Sequence, residues 1–138
     1  MSVENKALML SWFEEVWNKG RTDAIDERLA ADAVIHGLLD AQGKPVHGLQ
    51  AFRDFHAQFR GAFPDMMIQV EDMVAEGDRV AARCLVQGNH SGDHLGFAAT
   101  NSAVDFTGIT IIRVKDGKIV EAWNNFDFMK MNQQLGVL

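Results

Sequence analysis

The sequence predicts an α+β domain. Its expected form is a curved antiparallel sheet wrapped around N-terminal helices to make a cone with an internal pocket. Three observations carry this. Apolar residues recur at steps of three and four over much of residues 3–62, then alternate from about residue 66 to residue 126. Turn signals at Glu76-Gly77-Asp78 and Asp116-Gly117 cut the second half into long hairpin strands. Helices followed by strands indicate α+β, and a twisted sheet can curl around its helices. At 138 residues the chain is expected to form one domain, residues 1–138.

Residues 3–19 read as an amphipathic helix with Val3, Leu10, Phe13 and Trp17 on its stripe, widened by Leu8, Trp12 and Val16. Gly20 ends it. Asp23 can cap a second helix running to about Leu29. Residues 33–39 are a short apolar run with β-branched Val34 and Ile35 and read as a strand, with His36 inside it. Residues 40–47 form a loop marked by Gly43 and Pro45. A third helix runs from residue 48 or 49 to 62, with Leu49, Phe52, His56, Phe59 and Phe63 at helical spacing. Pro64 ends it.

Residues 66–75 form the first long strand, with Ile68, Val70 and Val74 in phase. Residues 79–90 follow, with Val80, Ala82, Cys84, Val86 and His90 on one face. Residues 91–102 are an irregular, polar connection of the kind that often borders a site. Residues 103–115 place Val104, Phe106, Gly108, Thr110, Ile112 and Val114 together. The strand at 118–127 organises the chain. Its alternation puts Ile119, Glu121, Trp123 and Asn125 on one face and Val120, Ala122, Asn124 and Phe126 on the other. Asn124 is a lone amide on an apolar face, either a satisfied core group or part of a ligand pocket. Residues 128–135 form a closing helical turn.

A net charge of −6 argues against nucleic acid and anionic membrane as partners. No apolar run approaches the ~20 residues a membrane helix needs, and no signal segment is visible, so a cytoplasmic protein is expected. The single cysteine, Cys84, is expected to be buried and inert. With no tyrosine, no phenol can serve as acid or oxyanion donor. No Gly-rich phosphate loop points to a nucleotide cofactor, and the five histidines match no metal-ligand spacing, so neither cofactor nor metal is expected.

Phe63-Pro64-Asp65 before a strand, the Glu-Gly-Asp-Arg-Val turn at 76–80, Gly88-Asn89-His90-Ser91-Gly92, and Asp116-Gly117-Lys118-Ile119-Val120-Glu121-Ala122-Trp123 together resemble the SnoaL-like polyketide cyclase family. That family has the nuclear-transport-factor-like cone fold shared with ketosteroid isomerases. The resemblance implies ring closure by intramolecular aldol condensation without metal or cofactor, a small hydrophobic carbonyl substrate, and a homodimer covering the outer sheet face around Trp123. It also implies a carboxylate directly after that tryptophan as general acid/base, with a histidine on the neighbouring strand. The matching positions here are Asn124 and Thr110. An amide cannot exchange a proton near neutral pH, and Thr110 can only hydrogen-bond.

The candidate catalytic residues are therefore Asn124, His36, His90 and Asp127. His56 is a further titratable candidate, and Asp127 can equally cap the last helix. Expected substrate-binding residues are Trp12, Phe52, His56, Phe59, Phe106, Thr110 and Phe126. Three readings follow. In the first, a histidine moves a proton α to a carbonyl while Asn124 and Thr110 hydrogen-bond the enolate oxygen. In the second, the same pocket binds an apolar ligand without catalysis. In the third, the interior is simply core. A titratable side chain within roughly 3 Å of the substrate position at Asn124 separates the first two. A pocket under ~300 Å³, with little room for a drug-sized ligand, marks the third.

Overall fold

Met9, Trp12, Phe13, Val16 and Trp17 are buried at i, i+3, i+4, i+7 and i+8, so the N-terminal helix turns one apolar stripe inward. The computed structural model describes residues 2–40 and 42–137. The helix starts as α1, Ser2–Ser11, and widens into a π-helical segment, Trp12–Asn18. Val3 and Leu10 were expected on the stripe, but they fall off its phase and are 77% and 47% exposed. Gly20 ends the helix at φ +68°. In α2, Asp23–Arg28, Asp23 does not cap; its carboxylate accepts a hydrogen bond from Arg21 at 2.9 Å. Strand β1, Leu29–His36, starts and stops earlier than the alternation suggested, and Gly37 at φ +87° follows it. Helix α3, Gly48–Ala62, buries Phe52, Phe55 and His56 and ends before Pro64 as expected.

The strands β2, Met67–Glu76; β3, Arg79–Asn89; β4, Ala103–Lys115; and β5, Lys118–Phe126, form an antiparallel meander. Strand β1 adds to its end, parallel to β5, giving the order β1-β5-β4-β3-β2. The architecture is the expected α+β one, with a curved open sheet. Helix α4, Phe128–Leu135, closes the chain; Asp127 caps it by accepting from the Lys130 backbone N–H at 3.0 Å.

Two bulges change which side chains face in. In β2 the register shifts between Val70 and Asp72, leaving Glu71 extra. Met73 and Ala75 then pack against the core, and Val74, expected in phase with Ile68 and Val70, is 65% exposed. In β5, Arg113 faces Glu121 while Val114 faces Ile119, so Val120 is the extra residue. Ile119 is therefore buried and Val120 is not, the reverse of the simple alternation, while Ala122, Asn124 and Phe126 keep the expected face.

The edge strand β2 is held at its start by a side chain. Asn18 Nδ2 donates to the Ile68 carbonyl at 3.0 Å, and its Oδ1 accepts from the Ile68 N–H at 2.6 Å. Cys84 is buried, and burial pushes its thiol up to about 12, so it is inert as expected. No helix among the described residues is long and apolar enough to cross a membrane.

A Cβ at Gly37 would lie 1.9 Å from the Asn124 backbone oxygen, at a φ that side chains avoid. Gly37→Ala is expected to cost about 2–4 kcal/mol in urea unfolding, because two backbones must separate. A loss below about 0.5 kcal/mol would show that the contact is slack.

Candidate functional site

The concave face of the sheet and the helices enclose a cavity of about 70 Å³. Trp12, Trp17, Phe52 and Phe59 close it from the helix side; Phe106, Ile112, Ile119 and Phe126 close it from the sheet. Apart from the indoles, the only polar side chains on its lining are Thr110 and Asn124. Such a volume holds a few water molecules, at about 10–15 Å³ each by this measure. It lies below the ~300 Å³ at which a drug-sized ligand fits, which is the mark set for the third reading, an interior that is core; a ligand of that size enters only if the walls move.

Thr110 and Asn124 are direct cross-strand partners on β4 and β5. Thr110 Oγ1 donates to Asn124 Oδ1 at 3.0 Å. Asn124 Nδ2 donates to the His36 carbonyl at 2.9 Å, which ties β5 to the end of β1. These two bonds set the amide's orientation, since a flipped amide would point its oxygen at a carbonyl. One N–H of Asn124 and the free lone pairs of Thr110 Oγ1 remain for a ligand. No titratable side chain is among the lining residues.

Of the four catalytic candidates, only Asn124 lines the cavity. The His36 ring faces the outer side of the sheet. It stacks on Trp123 at 5.5 Å, and its Nε2–H donates to Glu121 at 2.8 Å. That bond, together with Arg113, holds Glu121 below the ordinary carboxylate range against the opposing effect of burial. Trp123 is not left bare, because Arg79 covers its ring at 5.0 Å. His90 is fully buried between Phe63 and Phe97, away from the cavity lining. Its Nδ1 accepts from the Thr100 backbone N–H at 3.0 Å, so the ring proton sits on Nε2, which has no partner among the described residues. Asp127 is exposed and serves as the cap of α4.

Of the substrate-binding candidates, Trp12, Phe52, Phe59, Phe106, Thr110 and Phe126 line the cavity and His56 does not. His56 sits behind the wall, donating Nε2–H to the Val16 carbonyl at 2.6 Å, with Nδ1 unpartnered among the described residues. Burial, the largest influence, lowers its pKa and keeps the ring neutral. Sequence reasoning missed Leu38 and Phe128 as lining residues. The apolar start of the C-terminal segment was the available signal for Phe128.

The profile of the SnoaL-like polyketide cyclase family matches residues 7–135. The chain belongs to that family. Aklanonic acid methyl ester cyclase DauD of Streptomyces sp. (strain C5) is 28% identical over 124 residues, covering 88% of this chain and 76% of that protein. Among solved structures, IdmH of Streptomyces antibioticus, described as a candidate polyketide cyclase, is 34% identical with a TM-score of 0.81. The match covers 96% of this chain and 99% of that one. AclR of Streptomyces galilaeus, described as a candidate hydroxylase, is 28% identical with a TM-score of 0.86, covering 100% of this chain and 84% of that one.

His56 gives a pH prediction. Its folded pKa is lowered, so the unfolded chain takes up the proton first as pH falls. Its contribution is complete above about pH 6.5 and is lost below it, with a slope of at most about 1.4 kcal/mol per pH unit. His56→Gln, which keeps a donor for Val16, should remove that slope between pH 6.5 and 5 in urea titrations. An unchanged slope would assign it to other groups.

Proposed function

We propose that this SnoaL-like protein binds a small hydrophobic carbonyl compound in the cone and promotes its ring closure or isomerisation by holding it and polarising its carbonyl. The observation that supports this is the Thr110–Asn124 pair, the one hydrogen-bonding feature besides the indoles on an apolar cavity wall. A carbonyl oxygen placed there takes the free N–H of Asn124. As the oxygen gains charge in an enolate or aldolate, that bond strengthens, and the apolar surroundings strengthen it further.

Proton transfer by a histidine of the pocket, one of the readings from sequence, has no candidate among the lining residues. Intramolecular aldol closure does not require one. The α-carbon loses one proton and the acceptor oxygen gains one, so the protein need supply no net proton. A water in the cavity can carry it between the two sites, slowly, since no side chain with a pKa near neutrality assists. The relatives DauD, a cyclase, and IdmH, a candidate polyketide cyclase, support the choice of ring closure. The lack of a titratable lining group favours the second reading over proton transfer by a histidine: a carrier that binds the same compound without turning it over.

The homodimer implied by the resemblance belongs to the same proposal. It would cover the outer sheet face, where Ile109 is 48% exposed.

Thermal melts with one- and two-ring aryl ketones test the site. At 100 times the dissociation constant a ligand adds about 2.7 kcal/mol, a rise on the order of 6–15 °C for this size of domain. Asn124→Leu should abolish the rise, and Thr110→Val, which frees the amide oxygen, should reduce it. Deuterium exchange at the ketone α-carbon above the solvent rate, lost in Asn124→Leu, would mark an enzyme; binding without exchange would mark a carrier. Equal shifts in wild type and Asn124→Leu would remove the amide from the site.

A further inference from the structure

The cavity is too small for the molecules it is proposed to hold, so some part of its wall must yield. Most of its lining is buried. Phe59, Asn124, Phe126 and Phe128 alone among the lining residues keep partial exposure, and they mark the mouth. Three rings of that mouth are linked: Phe59 lies 5.9 Å from Phe128, and Phe126 lies 6.3 Å from Phe128.

These rings are not equally held. Phe59 also contacts Phe55 and Phe63. Phe128 also contacts Phe106 and opens a capped helix. Phe126 touches no ring but Phe128. Instead it rests on backbone. Gly108 is its cross-strand partner, and a Cβ at Gly108 would come within 2.2 Å of the Phe126 ring. The ring thus occupies the space that a side chain at position 108 would fill. It is a partly exposed plug whose seat is a glycine.

We infer that Phe126 sets the size of molecule the cavity admits: its ring leaves the seat over Gly108 to let a fused-ring hydrocarbon body enter, with the oxygen held back at the mouth by Asn124. Asn124 and Phe126 point to the same side of β5, two residues apart, so the polar group and the gate share one end of the cavity. Apart from the indoles, the polar side chains on the lining lie on β4 and β5, and no charged side chain among the described residues lines the cavity. The favoured ligand therefore carries one carbonyl at the edge of a planar apolar body, without carboxylate or phosphate. This inference rests on the carbonyl-site reading for the ligand's oxygen, but not for its size.

The test uses benzene and naphthalene beside acetophenone and 2-acetonaphthone, with dissociation constants for wild type, Phe126→Ala and the milder Phe126→Leu. Benzene, the smaller body, should gain less from either substitution than naphthalene does. Naphthalene should bind Phe126→Ala at least about tenfold more tightly than wild type, since the barrier is the ring's own volume, with Phe126→Leu between them. Naphthalene has no oxygen, so it reports the gate alone. Equal naphthalene affinity in all three proteins overturns the gate. A naphthalene gain without any preference for the ketones upholds the gate and overturns the carbonyl site. No naphthalene bound by any of the three overturns the gate, and no ketone bound by any of the three overturns the carbonyl site.

Discussion

A hydrogen-bond relay from Thr110 through Asn124 to the His36 carbonyl joins three strands at the point where the sheet meets its cavity. The site depends on it. Without Asn124, β5 would keep its side-chain ties to the end of β1 on the outer face, where His36 bonds Glu121 and stacks on Trp123, but would lose the tie on the cavity side. The same amide explains the close approach of Gly37, where the strand turns away with its backbone against that of Asn124. One of the amide's N–H groups bonds the end of β1 and holds the fold.

Much of this was legible in the sequence. The switch of apolar period placed helices before strands, and the turns at 76–78 and 116–117 set the hairpins. Alternation alone put Asn124, Phe126 and Thr110 on the inner face. What failed were details set by partners rather than by the local run of residues. The bulges at Glu71 and Val120 shift phase by one, which a single strand cannot reveal because its neighbour defines the register. The histidines are the sharper case. His36 ends β1 and turns outward because Trp123 and Glu121 receive it there. His90 follows the end of β3, where Thr100 claims its Nδ1. Neither neighbour is near in sequence, so no spacing rule could point to them.

The resemblance implies a carboxylate directly after Trp123, and the chain has an amide there. The fold and the profile match place the chain among SnoaL-like cyclases, whereas the residue after Trp123 is an amide. A carboxylate there could shuttle protons. An amide can only direct an oxygen and stabilise charge on it. The outer face, by contrast, carries ionisable groups: Glu121 bonds both His36 and Arg113, and the Trp123 ring has contacts with His36 and Arg79. Interior and exterior of one strand thus have opposite electrostatic character, and the alternation of β5 past its bulge keeps them apart.

Asn18 has a consequence beyond anchoring a helix. Strand β2 is the last in the sheet, and a bare strand edge invites a strand from another molecule to add to it. By offering Ile68 one donor and one acceptor, the Asn18 amide imitates a single residue of a neighbouring strand and occupies the pairing site. Just past it, the bulge at Glu71 breaks the regular edge. At Ile68 and again at the bulge, β2 thus denies an incoming strand the regular ladder of free N–H and C=O groups that edge pairing needs.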